Sequence, residues 1–195
     1  MELQRFTSVE SALAMLFGKG VKIAKRDRVS GGDINEAFGL TLTDGRRIFM
    51  KANRKGNVSF FMAELAGLAA IAAAGAIGTP AVFGFGTDEE GAGSAFLLME
   101  WIEGKGRVKD YWEVFARDLA AMHRDETESY TAGGKFGFAD DNYIGAGEQI
   151  NEVRDSWVSF FRECRLEPQF ERASRYFEAE ERKKIIKLLE RIEEI

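Results

Sequence analysis

The chain is 195 residues long, with 27 Lys and Arg against 32 Asp and Glu and a net charge of −5, which argues against a nucleic-acid binder, since such domains usually carry a basic stripe. Hydrophobic residues make up 45% and charged residues 30%, so the chain can fold around a core, as one large domain or as two small lobes sharing a cleft. The single cysteine, Cys164, excludes an internal disulfide and fits a reducing cytoplasm, and the start, Met1-Glu2-Leu3-Gln4-Arg5, lacks the basic-then-apolar order of a signal peptide.

Thr7 and Glu10 stand at capping-box spacing and predict a short helix to about Phe17. Residues 21–30 and 35–42 are strand-like and flank Ser30-Gly31-Gly32-Asp33. Thr43-Asp44-Gly45-Arg46 predicts a hairpin turn into a third strand, Ile48 to Ala52. A helix follows from about Val58 to Ala74, with Phe61, Leu65, Leu68 and Ala72 on one stripe. Between Gly56 and Gly86 the only charge is Glu64, but an Ala- and Gly-rich composition with a carboxylate in its first half suits a buried helix better than a membrane span. Pro80 opens a strand through Phe85, and an acidic turn leads to another at Ser94–Trp101. The order β-β-β-α-β-β predicts a five-stranded antiparallel sheet with one inserted helix.

After Gly104 the pattern is helix or long loop. Asp110 and Glu113 make a second capping box, followed at helical spacing by Trp112, Phe115, Ala116, Leu119, Ala120 and His123. Residues 125–149 read as a long loop, of the kind that in a compact domain is usually functional or disordered. Val153, Trp157, Phe160, Phe161 and Cys164 line the next helix, Pro168 starts another, and Glu178–Ile195 is a charged amphipathic helix. The expected division is a sheet lobe over residues 1–103 and a helical lobe over 104–195.

Three features carry chemistry. Lys51 lies in a strand, and Glu64 leans toward the buried stripe of the following helix, where a carboxylate needs a cation. A strand lysine paired with a helix glutamate holds the lysine against ATP phosphates in kinase-like folds. Gly31 and Gly32 sit between the first two strands, where backbone N–H groups can approach an anion; Asp33 would turn back onto the loop's own amides. Phe96 to Met99 runs into Glu100-Trp101-Ile102, a hinge whose backbone near Glu100 and Ile102 would meet the adenine edge, with Met99 behind.

His123-Arg124-Asp125 spells the catalytic-loop tripeptide of protein kinases, but it does not serve as one. The asparagine required five residues after the aspartate is Tyr130, and the metal-binding aspartate before Phe136-Gly137 is replaced by Lys135. His123 continues the apolar stripe of its helix and reads as structural.

The chain resembles the fructosamine (ketosamine) kinase family, related to aminoglycoside and choline kinases. The matching segments are Ser-Gly-Gly-Asp-Ile-Asn-Glu-Ala-Phe (30–38), Phe-Met-Lys-Ala-Asn (49–53), Glu-Leu-Ala-Gly-Leu (64–68) and Phe-Leu-Leu-Met-Glu-Trp-Ile (96–102). They continue through Leu-Ala-Ala-Met-His (119–123), Phe-Gly-Phe-Ala-Asp-Asp-Asn-Tyr-Ile-Gly (136–145) and Phe-Phe-Arg-Glu-Cys-Arg-Leu-Glu-Pro-Gln (160–169). The resemblance implies an α+β, kinase-like fold whose helical second lobe is incomplete. It implies ATP and Mg²⁺, a sugar hydroxyl on a ketoamine or glycated protein as acceptor, and deglycation as the purpose. Lys51 and Glu64 would position phosphate, and Asp141 and Asn142 would bond sugar hydroxyls or fix their own loop.

One departure is large. Family members continue into a His-Gly-Asp catalytic loop and a later metal-binding aspartate, and this sequence holds neither. The expected Mg²⁺ site lies beyond Ile195, no catalytic residue or metal ligand is assigned within the chain, and the chain alone is expected to be inactive. Two other readings stand beside a truncated ketosamine kinase. One is a degenerate nucleotide- or partner-binding protein, a homodimer if a second copy covers Ile185, Leu188, Leu189 and Ile192. The other is a fragment of a kinase for an aminoglycoside or choline. None of these involves nucleic acid or a membrane, and all are cytoplasmic.

Overall fold

The computed structural model describes residues 4–31, 34–89, 93–125 and 134–194. It divides into two compact units, Met1–Asp125 and Glu126–Ile195. The division expected after Glu103 differs in where it puts the helix that follows.

The first unit is a mixed sheet with helices. Its strands are β1 (Arg5–Phe6), β2 (Ile23–Val29), β3 (Glu36–Leu42), β4 (Arg47–Arg54), β5 (Val82–Thr87) and β6 (Ser94–Glu100), in spatial order β1-β5-β6-β4-β3-β2. The five predicted strands form the antiparallel part, and their order places β4 and β6 at the centre. β1 is an addition, paired parallel to β5 through Arg5 with Phe85 and Phe6 with Gly86. That close approach needs glycine. A Cβ on Gly86 would lie 2.0 Å from the Phe6 carbonyl oxygen, and one on Gly84 would lie 2.5 Å from the Phe6 ring.

Strand parity separates two cores, because successive side chains point to opposite faces. On one face Leu40, Leu42, Ile48, Met50, Phe96 and Leu98 pack with Phe6 and with Ala12 and Leu13 of α1 (Val9–Phe17). On the other, Ala95, Leu97 and Met99 pack with Phe61 of α2 (Val58–Ala74), supported by Phe49, Leu65 and Leu68. Both faces of β6 are therefore covered, which is why its sequence reads as an unbroken apolar run.

Two caps differ from expectation. α1 is capped by Ser8, whose Oγ accepts from the Ser11 N–H at 3.0 Å while Ser11 Oγ accepts from the Ser8 N–H at 3.2 Å. Thr7 is not the cap; its carbonyl accepts from the Glu89 N–H at 3.0 Å. Asp110 precedes α3 (Tyr111–Arg124) in the left-handed region at φ 64, and its side chain makes no cap bond. A side-chain cap requires extended backbone at that position, so the Asp110–Glu113 box does not form.

α2 is less buried than predicted. Phe61 is fully buried, Leu65 and Leu68 are half-buried, and Ala72 is exposed. With its lead-in turn, Lys55–Ala74 is long and apolar enough to cross a membrane by length and composition alone. Helix α3 carries no buried residue: Trp112 and Phe115 are exposed, and so is His123, which is not the packed histidine expected.

In the second unit, the segment read as a loop holds a small hairpin, β7 (Asn142–Ile144) with β8 (Gly147–Gln149). The helix α4 (Trp157–Phe161) widens into a π turn (Arg162–Leu166) and continues as α5 (Glu167–Ala173), with Pro168 in its first turn. Proline has no N–H to give the Cys164 carbonyl four residues back, and Arg165 Nη1 donates to that carbonyl at 2.9 Å instead. The last helix, α6 (Ala179–Glu190), opens with a Glu178–Glu181 capping box and ends in a 3₁₀ turn, Ile192–Glu194. Along its predicted apolar face Leu189 is buried, whereas Leu188 is exposed.

Arg154 braces this unit, donating to Glu163 at 2.6 Å and to Glu152 at 2.9 Å. The bond from Arg154, then that from Arg162, holds the Glu163 carboxyl below its ordinary value of 4.5. A carboxyl whose pKa is depressed on folding adds stability above its unfolded pKa and loses it as pH falls through the lower folded value. The expected result is a urea midpoint for wild type that falls more steeply than that of Glu163→Gln as pH drops from about 5 toward 3. Parallel acid profiles for the two proteins would show that the ion pair adds nothing.

Candidate active-site cleft

β4 alternates. Ile48, Met50 and Ala52 go to the α1 face, so Phe49 and Lys51 go to the α2 face. On α2, Glu64 lies one turn from both Phe61 and Leu68, on the stripe that meets the sheet. The two periodicities meet in an ion pair, with Lys51 Nζ 2.5 Å from Glu64 Oε1 and side chains 29% and 25% exposed. Partial burial and a fixed partner hold the ammonium in one place.

The pair is part of the lining of a cleft of about 400 Å³ in the first unit. Phe49, Leu68 and the buried Met99 supply apolar wall, joined by Val29, Pro80, Trp101 and Ile102. Glu100, also in the lining, is bonded twice to Ala81. Its N–H donates to the Ala81 carbonyl at 2.8 Å, and its Oε2 accepts from the Ala81 N–H at 3.1 Å.

The cleft thus joins Lys51, Glu64, Met99, Glu100 and Ile102. Gly31, at φ 120, has open space where a Cβ would stand and follows Val29 of the cleft wall by two residues; Gly32 and Asp33 lie outside the described residues. The end of that loop is anchored by Asn53 Nδ2, which donates to Asn35 Oδ1 at 2.6 Å and to the Ile34 carbonyl at 3.2 Å.

Asp141 and Asn142 belong to the second unit, and both are engaged within it. Asp141 Oδ1 accepts from the Asn151 N–H at 2.7 Å, and Asn142 Oδ1 accepts from Gln149 Nε2 at 2.8 Å. Asn151, 2% exposed, also donates Nδ2 to the Asp140 carbonyl at 2.9 Å and accepts from Arg165 Nη2 at 2.6 Å.

Sequence reasoning did not single out Trp101 or the Glu100 side chain. A signal for Trp101 was available: Gly39 sits inside a strand, where glycine often marks a close approach, and a Cβ there would lie 2.8 Å from the Trp101 ring.

The arrangement suits a nucleotide. An apolar slot can take a base, a fixed ammonium can meet phosphate, and the volume falls in the usual range of ligand sites, about 300–1,000 Å³. The Mg²⁺ that a kinase resemblance implies has no such fit, since no group of three His, Cys, Asp or Glu is placed to hold a metal among the described residues.

Comparison with known proteins gives a consistent result. A profile described as fructosamine kinase matches residues 5–195. A "Probable ketoamine kinase" of Synechocystis sp. is 37% identical over 172 residues, covering 86% of this chain and 54% of its own length. The chloroplastic protein-ribulosamine 3-kinase of Arabidopsis thaliana is 36% identical over 149 residues, covering 76% and 43%. A crystal structure provisionally named as a fructosamine-3-kinase of Haemophilus somnus superposes with a TM-score of 0.75 at 27% identity, over 87% of this chain and 54% of that one. The chain spans about half the length of these relatives. On the match over residues 5–195 and this shared architecture, the chain belongs to the fructosamine kinase family.

Proposed function

We propose that this chain forms the nucleotide-binding portion of an ATP-dependent ketoamine kinase, one that phosphorylates a sugar hydroxyl of sugar–amine adducts on small molecules or glycated proteins. The observation that carries the reading is the Lys51–Glu64 pair in the lining of a cleft that Phe49, Leu68 and Met99 also line. A lysine held by a helix glutamate would meet nucleotide phosphates, while Met99, Glu100 and Ile102 would face the base. The names of the relatives, ketoamine kinase and protein-ribulosamine 3-kinase, favour a ketoamine acceptor.

Residues 1–103 would serve as the nucleotide lobe and 104–195 as part of the substrate lobe. ATP would bring Mg²⁺, which neutralises phosphate charge in phosphoryl transfer. The chain's only histidine is His123 and it holds no His-Gly-Asp, so the residue that accepts the hydroxyl proton is not assigned within it.

Calorimetric titration with ADP tests the first half of the reading: binding at a single site is expected, and no heat at millimolar ADP would sink it. A transfer assay with ATP, Mg²⁺ and fructosyl- or ribulosyl-lysine tests the second. No product is expected from the 195-residue chain, and turnover would place the proton acceptor inside it.

A further inference from the structure

We propose that Arg47, Trp101 and Glu103 form a lock that fixes the segment after β6 and so positions the base end of the cleft; this rests on the nucleotide reading above. Residues 101–108 adopt no regular secondary structure, yet Trp101 and Ile102 are part of the cleft wall. Something other than a strand ladder must hold them in register with Lys51.

The three side chains close a triangle. The Arg47 guanidinium lies 3.9 Å from the centre of the Trp101 ring. Trp101 Nε1 donates to Glu103 Oε1 at 2.8 Å, and Arg47 Nη1 donates to the same oxygen at 3.1 Å. The indole is seated on bare backbone, where a Cβ on Gly39 would lie 2.8 Å from its Cζ3. Phe49, directly across the ladder from Gly39, meets the same ring with centroids 6.2 Å apart.

Parity gives the lock its consequence. Arg47, Phe49 and Lys51 are alternate residues of β4 and share a face. One strand therefore carries the grip on the linker, the apolar floor and the lysine, at spacings fixed by the backbone. Arg47 and Glu103 do not line the cleft, so they act through Trp101 as positioning residues.

The ion pair itself is open, with side chains 41% and 64% exposed, and exposed pairs contribute little to fold stability. The lock should therefore show in ligand binding and hardly at all in unfolding. That separates positioning from a merely structural role.

The test compares ADP with pyrophosphate, which has the same phosphates and no base. Calorimetry on the 195-residue chain is run for wild type, Arg47→Met and Trp101→Phe. Arg47→Met keeps an apolar stem and loses the charge; Trp101→Phe keeps a ring and loses the indole N–H. Arg47→Met is expected to weaken ADP about threefold, the scale of a solvent-exposed cation–π contact, with pyrophosphate affinity and Tm unchanged. Trp101→Phe is expected to weaken ADP by a smaller factor in the same selective way. Equal ADP affinity in wild type and both variants overturns the lock, as does parallel loss of ADP and pyrophosphate. A wild type that binds pyrophosphate but gains nothing from the base overturns the lock while leaving the phosphate site standing. If wild type binds neither ligand, the nucleotide reading fails first and the lock with it.

Discussion

Replacing Lys51 by Met is expected to weaken ADP binding about thirtyfold and to lower stability by only about 1–2 kcal/mol. Methionine fills the same channel without strain, so the change removes a charge and little packing. A charged hydrogen bond to phosphate is worth about 1.5–3 kcal/mol, which sets the loss in affinity. The stability cost comes from Glu64, left without its cation on the sheet-facing stripe of α2. Because that carboxylate is 25% exposed, water can approach it, and the cost stays well below that of a fully buried orphan. Lys51→Arg should not rescue binding, since a planar guanidinium does not reproduce a compact ammonium at 2.5 Å from Glu64. Calorimetry gives the affinity and urea unfolding the stability. Unchanged ADP affinity in Lys51→Met would remove the lysine from the phosphate site.

Gly86→Ala is expected to be the most damaging small substitution in the first unit, lowering stability by about 3 kcal/mol or more. The added methyl would meet the Phe6 carbonyl oxygen at 2.0 Å and its carbonyl carbon at 2.7 Å, and backbone cannot turn aside as a side chain can. β1 would have to leave the sheet edge, exposing Phe6, which is 5% exposed in the intact fold. Burial of a phenylalanine alone is worth about 1.5–3 kcal/mol. A control separates this from a generic effect of the new side chain. Gly67 lies mid-helix in α2 with open space around a would-be Cβ, so Gly67→Ala should stabilise by about 0.5–1 kcal/mol. Denaturant midpoints that fall equally for both would contradict the contact geometry.

How much of this was legible in sequence depends on whether the cause is local. β2 through β6 and α2 follow from alternation, turn chemistry and helical spacing, and α2 runs over Val58–Ala74 as predicted. The Lys51–Glu64 contact was legible because two periodicities aim both residues at one interface. β1 was not legible, since two residues carry no pattern and its pairing depends on glycines some eighty positions on. The caps were misread by a residue or by backbone conformation: Ser8 outcompetes Thr7, and Asp110 is left-handed. The hairpin at Asn142–Gln149 hides because three-residue strands are too short to show alternation. At the cleft, the lysine and glutamate stand out by chemistry, while Trp101 owes its role to a glycine in another strand.

The parallel pairing of Arg5 and Phe6 with β5 also bears on the order in which the chain assembles. β2, β3 and β4 are joined by short connections and can close early, at low entropic cost. β1 must wait for β5, and closing a loop of that length costs on the order of 4 kcal/mol by logarithmic scaling. During synthesis β1 would leave the ribosome before β5 and could dock only once that sheet edge had been made. A nascent chain from which Val82 has not yet emerged would carry a free, protease-sensitive first strand; one from which Glu100 has emerged would protect it.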